Sequence, residues 1–402
     1  MVSYCDNDAA TEPQSESETE LGGSRSVAVA FSRSRSVAVA FSRSRSVDLA
    51  DLLFRIIWLI GFNGKYEIGA LHRSGSPTFL VLKPIEGNSD ILLIGYLRGG
   101  TTFTGEILGL REGNFYMYEP LHKWSTWDYY KPGYSCSLEN EHCTMSTRTD
   151  SFVMDILRGL YKCDSNHLLK SLQMWQLLKG RGFRDSIQNP TWANYFPECH
   201  GKVEGCIEKV ISRCANATAR VSKVPRVSVS LAAQLLNSVP NLKIIHLVRD
   251  PRAIMASRHA LKWTPAPGGS ISLCNKMKED YLESYMMRTT HPGRLLTVFY
   301  EDLVTNPAKT VQMMFDFAGY NFDEKEQNRL KNMTGMTTKN ILNSETRGTS
   351  LRIALAWRKR VNETFLNVMN PGCNDLYKFL GYPPLKTNID LYNSSIPLRI
   401  SN

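Results

Sequence analysis

The chain has 402 residues, of which 42% are hydrophobic and 21% are charged, and this composition is typical of a globular protein with a large core. Its 48 Lys and Arg residues outnumber its 38 Asp and Glu residues, so the formal charge is +10 and an anionic partner is favoured. The sequence contains no zinc finger and no aromatic-basic RNA-binding motif, so we predict no nucleic-acid partner. A nucleotide or a polyanionic glycan fits the charge.

Residues 1–48 have the composition of a low-complexity tail. The unit Ser-Arg-Ser-Val-Ala-Val-Ala-Phe-Ser-Arg begins at Ser24 and again at Ser34, and a third copy from Ser44 diverges at Asp48. A ten-residue unit is too short and too rarely repeated for a solenoid. We therefore predict a disordered tail, with a basic interaction arm as the alternative.

We predict a poor membrane-anchor candidate followed by a linker over residues 49–87. The segment Leu49–Phe62 is mostly apolar, but Asp51 and Arg55 interrupt it. It is also shorter than the roughly 20 residues that a spanning helix needs. No signal peptide follows Met1, so the sequence offers no convincing anchor.

The cysteines and glycosylation sequons indicate the compartment. Eight of the nine cysteines follow residue 130, and none forms a Cys-x-x-Cys pair, so no metal site is predicted. Asn-x-Ser/Thr sequons begin at Asn216, Asn332, Asn362 and Asn393. Together these features favour a lumenal or secreted protein with disulfide bonds, and buried free thiols in a cytosolic protein are the alternative.

From about residue 86 the hydrophobic pattern alternates between strands and helices. Predicted strands are Ile91–Tyr96, Phe115–Tyr118, Ile244–Val248 and Leu295–Tyr300. Predicted helices are Thr101–Leu110, Leu168–Leu178, Leu231–Leu236, Arg252–Leu261, Lys276–Arg288 and Pro307–Phe317. This alternation predicts one α/β domain over 88–385, with a parallel sheet covered by helices on both faces, and a C-terminal tail over 386–402.

The segment Arg98-Gly99-Gly100-Thr101-Thr102 lies between a predicted buried strand and a predicted helix. A helix start offers unpaired backbone N–H groups and the positive end of its dipole, which favour a phosphate. The glycines allow close approach of the backbone, and Arg98 adds a permanent charge. We therefore predict a phosphate site at the carboxyl end of this strand.

A second candidate phosphate site follows the strand that ends at Val248. Arg249 leaves the carboxyl end of that strand, and Ser257 lies two turns along the next helix. These two donors could hold a separate phosphate through charge-assisted hydrogen bonds. The alternative is that Arg249 and Asp250 only cap the helix and form an ion pair.

Five short segments carry a family resemblance when they are taken in order. They are Tyr96–Phe103, Tyr118–Leu121, Val248–Arg258, Tyr300–Leu303 and Ala356–Arg358. Together they resemble the sulfotransferase superfamily, closest to the Golgi carbohydrate 6-O-sulfotransferases that act on galactose, GlcNAc or GalNAc. The resemblance covers about residues 88–385 and implies a P-loop-like parallel sheet. It also implies transfer of a sulfuryl group from 3′-phosphoadenosine 5′-phosphosulfate (PAPS) to a sugar hydroxyl in the Golgi lumen, by a type II membrane protein.

The resemblance also implies roles for individual residues. Arg98 would neutralise charge on the leaving phosphate, and the loop after it would hold the 5′-phosphate. Arg249 and Ser257 would hold the 3′-phosphate, and Arg347 would close over that phosphate. The cofactor-binding residues implied in this way are Arg98, Gly99, Gly100, Thr101, Thr102, Phe103, Arg249, Ser257 and Arg347.

Transfer to a hydroxyl requires a general base, and Glu119 is the candidate. It follows the strand Phe115–Tyr118, so it is expected beside the phosphate loop. We expect burial to raise its pKa, which would let it accept the proton. Two alternatives remain open: Glu119 is a structural partner of a nearby arginine, or His122 is the base.

Two further functions remain open. The first is a sulfotransferase for a non-glycan acceptor such as a phenol, a steroid or a peptide tyrosine. The second is a non-catalytic binder of anionic glycans that retains the basic cleft. The cysteines, the sequons and the segment Tyr118–Leu121 favour the glycan-directed enzyme.

Overall fold

The structure is a computed structural model of the chain, which divides into two compact units, Met1–Gly87 and Asn88–Asn402. The described residues are 2–4, 27–31, 37–41, 66–71, 79–84, 88–109, 111–122, 128–137, 142–168, 207–262, 269–335 and 350–400. In the first unit the description is limited to the backbone of five strands. The second unit contains the predicted phosphate sites.

The strands of the first unit form one sheet. They are β1 (Val2–Tyr4), β2 (Val27–Phe31), β3 (Val37–Phe41), β4 (Tyr66–Leu71) and β5 (Phe79–Pro84). Their order is β1-β2-β3-β5-β4, and the β2–β3, β3–β5 and β4–β5 pairs are antiparallel.

The sequence analysis did not predict these strands. β2 and β3 are two copies of Val-Ala-Val-Ala-Phe, a segment of high strand propensity, and they pair with Val29 opposite Val39. At these positions the structure has strands within the predicted tail, because two identical copies can pair with each other. The anchor candidate Leu49–Phe62 lies outside the described residues. Among the helices that the structure describes, none has both the length and the hydrophobicity needed to cross a bilayer.

The second unit is built on a parallel sheet of five strands. They are β6 (Asp90–Ile94), β7 (Asn114–Tyr118), β11 (Ala219–Val224), β12 (Leu242–Val248) and β13 (Leu295–Phe299). Their order is β13-β12-β6-β11-β7, and every neighbouring pair is parallel. This confirms the predicted fold class and the four predicted strands. The sequence analysis missed β11, which lies between β6 and β7.

A small antiparallel sheet lies beside the end of β11. It comprises β8 (Asp128–Lys131), β9 (Tyr134–Ser137) and β10 (Cys143–Met145). A disulfide bond between Cys136 and Cys143 joins β9 to β10. Tyr130 N donates to Arg226 O at 2.8 Å, so this sheet is attached directly to the chain that leaves β11.

Helices cover both faces of the parallel sheet. They are α1 (Thr101–Gly109), α2 (Thr147–Tyr161), α3 (Ile207–Ala215), α4 (Val229–Gln234), α5 (Pro251–Ala260), α6 (Gly269–Thr290), α7 (Tyr300–Thr305), α8 (Pro307–Ala318), α9 (Glu324–Gly335), α10 (Ser350–Leu355), α11 (Glu363–Leu380) and α12 (Asn388–Tyr392). Alternate side chains of β6 enter opposite cores: Leu92 packs in the cluster that contains Leu157 of α2, and Leu93 in the cluster that contains Phe315 of α8. Burial on both faces explains why β6 is apolar from Ile91 to Ile94. The predicted helix Leu168–Leu178 lies, beyond its first residue, outside the described residues.

Disulfide bonds and the C-terminal segment link elements of the second unit. Cys163 pairs with Cys214, and Cys274 of α6 pairs with Cys373 of α11. In the region predicted as a C-terminal tail, Arg399 Nη1 donates to Asp302 Oδ2 at 2.8 Å. The described part of this segment therefore packs on the domain.

Candidate functional site

The first predicted phosphate loop connects β6 to α1. Gly99 N donates to Tyr96 O at 2.7 Å, which closes a tight turn, and α1 begins at Thr101. The first N–H groups of α1 therefore face the carboxyl edge of the sheet, where an anion would be stabilised. Thr102 and Phe103 lie in this first turn, and both are partly buried.

The backbone of this loop adopts sparsely populated conformations. Arg98 has a φ of 71° and Gly100 a φ of 92°. A Cβ atom on Gly100 would lie 2.4 Å from the ring of Tyr300, so only glycine fits there. Glu119, the candidate base, also has a positive φ, 43°. Such conformations persist where the surrounding structure holds them, which is common in functional sites.

The second predicted phosphate site adjoins the first. Arg98 Nε donates to Ser257 Oγ at 3.1 Å, and Arg249 Nη1 donates to Arg98 O at 3.1 Å. Residues that are about 150 positions apart in the sequence therefore meet at one edge of the sheet. The guanidinium of Arg249 lies 4.3 Å from the centroid of the Tyr300 ring.

Asp250 does not neutralise Arg249. Its side chain caps α5 by accepting from Arg252 N at 2.9 Å, and its Oδ2 pairs with Arg252 Nη2 at 2.8 Å. The alternative prediction was that Arg249 and Asp250 cap the helix and form an ion pair. The helix cap by Asp250 is present, but Asp250 forms its ion pair with Arg252. Arg249 Nε is buried and has no hydrogen-bond partner among the described residues. The site therefore retains a donor that an anion could use.

Glu119 lies at the end of β7, is only 8% exposed, and forms ion pairs with two buried cations. Its Oε1 accepts from Lys223 Nζ at 2.5 Å, and its Oε2 accepts from Arg226 Nη1. His122 Nδ1 lies 3.3 Å from the same Oε2. These contacts match the alternative in which Glu119 is a structural partner of a nearby arginine.

The expected pKa shift of Glu119 was wrong in sign. Burial acts to raise the pKa of this carboxyl, but Arg226 and Lys223 outweigh burial and hold it well below its usual value of 4.5. Glu119 is therefore ionised at neutral pH. Sequence reasoning missed this because both cations belong to the end of β11 and the residues just after it, and that strand was not predicted.

His122 is constrained by Arg226. Arg226 Nη2 lies 2.7 Å from His122 Nδ1, and a guanidinium can only donate, so Nδ1 accepts. The same Nδ1 lies 3.3 Å from Glu119 Oε2, so the ring is held between a guanidinium and a carboxylate. The assignment of His122 as the base stays an alternative prediction.

Lys223 is the functional candidate that the sequence analysis missed. Its Nζ donates to Thr102 Oγ1 at 3.1 Å as well as to Glu119, so one ammonium connects the phosphate loop with the candidate base. The side chain is 1% exposed and lies over the Tyr118 ring, 3.8 Å from its centroid. The signal in the sequence was a lysine in a short Val-rich segment that ends at Pro225.

A buried hydrogen-bond network includes Tyr96, the residue whose carbonyl closes the turn of the first loop. Tyr96 OH bonds to His246 Nε2 at 2.9 Å, and His246 Nδ1 lies 2.8 Å from Ser284 Oγ. Because Ser284 Oγ donates to Asp280 O, it accepts from His246 Nδ1, and Tyr96 therefore donates to Nε2. Burial lowers the pKa of His246 to about 4, so the ring is neutral and this network is intact at neutral pH.

One predicted site residue has no structural counterpart. Arg347 lies outside the described residues, so its predicted role stays a prediction. Within the described ranges, no group of three or more His, Cys, Asp and Glu side chains could hold a metal ion.

Comparisons with known proteins bear on the family of the chain. The family described as "Sulfotransferase domain" matches residues 88–367. Carbohydrate sulfotransferase 1 of Danio rerio is 24% identical over 351 residues, which cover 77% of this chain and 81% of that protein. Carbohydrate sulfotransferase 2 of Homo sapiens is 26% identical over 357 residues, which cover 71% of this chain and 63% of that protein.

The chain is also similar to solved structures of sulfotransferases. The mouse sulfotransferase SULT7A1 complexed with PAP has 13% sequence identity and a TM-score of 0.34. The match covers 72% of this chain and 84% of that one.

Proposed function

Because the chain belongs to the sulfotransferase domain family, it is a PAPS-dependent transferase, and we propose that its acceptor is the 6-hydroxyl of galactose, GlcNAc or GalNAc in a glycan or glycosaminoglycan. Support for a sugar acceptor comes from relatives named carbohydrate sulfotransferase 1, 2, 5 and 6, which are 21–26% identical. The motif Tyr118–Leu121 supports the same branch.

One observation carries the proposal: Arg98, Arg249 and Ser257 meet at the carboxyl edge of the sheet beside the start of α1. The Arg249 guanidinium donates to the backbone carbonyl of Arg98, and the Arg98 side chain donates to Ser257, so both positive side chains lie at this edge, where they favour an anion. The buried Arg249 Nε without a partner among the described residues is a donor suited to a phosphate oxygen. These residues fit a nucleotide that carries phosphates at two positions.

The first turn of α1, Arg98, Arg249 and Ser257 form the half of the site that binds and orients the sulfuryl donor PAPS, and we call it the donor half. The first turn of α1 and Thr102 hold the 5′-phosphate side, and Arg98 neutralises charge that develops on the leaving group. Arg249 and Ser257 hold the 3′-phosphate. PAPS supplies the sulfuryl group when it is bound. The protein contributes mainly position and electrostatic stabilisation, as expected for a transfer of this type.

In the acceptor half, Glu119 receives the proton of the sugar hydroxyl. Its low pKa makes it a weak base, but it is ionised and fixed by Lys223 and Arg226. A weak base is adequate where the hydroxyl loses its proton late, as in a loose transition state. Lys223 lies between Thr102 and Glu119, where it can stabilise negative charge on the group in transit.

We further propose that the enzyme acts in the Golgi lumen. The disulfide bonds Cys136–Cys143, Cys163–Cys214 and Cys274–Cys373 suit an oxidising compartment. Of the sequon asparagines, Asn216, Asn332, Asn362 and Asn393 are all exposed, as glycosylation requires.

The test is incubation of the protein with radiolabelled PAPS and a panel of acceptors, followed by linkage analysis of the products. The panel contains glycans ending in galactose, GlcNAc or GalNAc, together with a phenol, a steroid and a tyrosine peptide. Label at the 6-position of a sugar supports the proposal. Label only on the phenol, steroid or peptide would assign a non-glycan acceptor. Tight glycan binding with no transfer to any acceptor would indicate a non-catalytic binder.

A further inference from the structure

Arg258 is a buried cation next to the candidate site. It lies in the last turn of α5, directly after Ser257, and is 7% exposed. Its Nε donates to Leu97 O at 3.2 Å, and its Nη1 lies 3.9 Å from Met255 Sδ. The side chain therefore holds the backbone of the residue that precedes Arg98.

Arg258 has no acidic partner in the part of the chain that the structure describes, where no carboxylate oxygen lies within ion-pairing distance of it. The comparison with Arg252 in the same helix is direct, because Arg252 is also buried but pairs with Asp250 at 2.8 Å. Burial, and then the charge of Arg98, lower the pKa of Arg258 to about 10. Both causes act against the charged form.

The compensation that Arg258 receives from the protein is partial. The carbonyl of Leu97 and the negative end of the α5 dipole supply fractions of a charge. A buried charge without a full counter-charge costs free energy, and a second guanidinium nearby increases that cost. The free protein therefore carries an electrostatic cost that an anion at Arg98 would reduce.

We propose that Arg258 is a positioning residue for the nucleotide: it fixes the Arg98 loop through Leu97 O, and its charge is balanced by the bound phosphates instead of by a protein carboxylate. This inference rests on the proposed function, since it requires the phosphates of PAPS at this edge. It assigns to Arg258 a role that the predicted site residues do not include. It also implies two effects of replacing Arg258 by a neutral side chain. The free protein would become more stable, and the nucleotide complex would become less stable.

The experiment uses the full chain, with adenosine 3′,5′-diphosphate as the probe. Arg258→Gln removes the charge but keeps an amide donor for Leu97 O, and Arg258→Lys keeps the charge. Arg294→Gln is the matched control, because Arg294 also donates to backbone carbonyls, those of Leu242 and Val239, but lies before β13 at the opposite edge of the sheet. For each variant, urea unfolding of the free protein, the Kd of the probe by calorimetry, and KM and kcat for PAPS are measured.

We expect Arg258→Gln to raise the Kd of the probe and the KM for PAPS about tenfold, as for the loss of one nearby charge in a partly buried site, with little change in kcat. Its free form should unfold at a urea concentration equal to or above that of the wild type. Arg258→Lys should keep the Kd within about threefold of the wild type, since the charge is retained. Arg294→Gln should lower the stability of the free protein and leave the Kd unchanged.

A purely structural role gives the opposite pattern. If Arg258→Gln fails to fold, or is less stable than the wild type when free, charge compensation by the ligand is wrong. A Kd within twofold of the wild-type value overturns the inference as well. Failure of the wild-type protein to bind the probe at all would instead count against the proposed function, so the two failures are distinguishable.

Discussion

The two halves of the site lie on the same edge of one sheet but handle charge in opposite ways. In the donor half, Arg98 and Arg249 meet, and the nearest acid in the sequence, Asp250, is already paired with Arg252. In the acceptor half, the cations are paired with a protein carboxylate, that of Glu119.

This difference indicates what each half is built to receive. Because the carboxylate of Asp250 is engaged by Arg252, it does not neutralise Arg249, and a basic site of this kind attracts a multiply charged anion. A carboxylate that is held by two cations is suited to contact an uncharged hydroxyl, because its own charge is already balanced. Lys223 belongs to both halves, since its Nζ contacts Thr102 and Glu119.

The largest effect is expected from a change in the acceptor half. Glu119→Gln removes the proposed proton acceptor while it keeps an oxygen for the neighbouring cations. We expect turnover to fall roughly 100- to 10,000-fold, the usual range for loss of a general base. The dissociation constant for adenosine 3′,5′-diphosphate should remain within a few-fold of the wild-type value, which calorimetry would show.

The control for Glu119→Gln is a second buried carboxylate with a basic partner. Asp90 accepts from Arg220 N at 2.7 Å at the amino end of β6, away from the site. Asp90→Asn should lower stability and leave turnover unchanged. Wild-type turnover in Glu119→Gln would remove Glu119 from the mechanism and reopen the assignment of the base.

A smaller effect is expected from the donor half. Arg249→Ala removes the proposed charge-assisted contact to a phosphate. Such a contact contributes about 1.5–3 kcal/mol, so the KM for PAPS should rise roughly 10- to 100-fold. The turnover at saturating PAPS should change much less. Steady-state kinetics at varied PAPS concentration measure both quantities. Arg220→Ala, at the opposite edge of the sheet, is the control, and equal KM values for the two variants would contradict the assigned role of Arg249.

The sequence was sufficient to predict β6, β12 and the start of α1. β6 is apolar from Ile91 to Ile94, and β12 is apolar except at Lys243 and His246, because the sheet is covered on both faces, and this pattern is local. The turn at Gly99 and the first turn of α1 also depend on neighbouring residues only. The same is true of the N-cap at Asp250.

The sequence did not predict β11 or the ionisation of Glu119, and the two failures have one cause. β11 carries Arg220 and Lys223 in a buried strand, which is unfavourable unless acids compensate them. Those acids are Asp90 and Glu119, each more than 100 positions away in the sequence. Local propensity carries no information about such distant pairs, so both the strand and the sign of the pKa shift required the structure.

The smallest expected effect concerns Glu301, a buried acid close to the donor half. Its Oε1 accepts from Asp250 N at 3.0 Å, and its Oε2 accepts from Tyr382 OH at 3.0 Å, so neither of these partners is a cation. Burial raises the pKa of Glu301 to about 7, although Arg249 acts in the opposite direction. The folded protein thus keeps this proton up to about pH 7, whereas the unfolded chain releases it near pH 4.5.

Because the folded state keeps the Glu301 proton over this interval and the unfolded chain releases it, the contribution of Glu301 to stability should fall as the pH rises from about 4.5 to about 7. Glu301→Gln removes this dependence. Its free energy of unfolding relative to the wild type should increase by about 1 kcal/mol between about pH 6 and pH 8, which urea unfolding can measure. Asp390→Asn is the control, because backbone N–H groups lower the pKa of Asp390 and keep it ionised across this range. If the difference in the free energy of unfolding between Glu301→Gln and the wild type is constant over the same interval, Glu301 remains ionised beside Arg249, and the donor half then contains a counter-charge of its own.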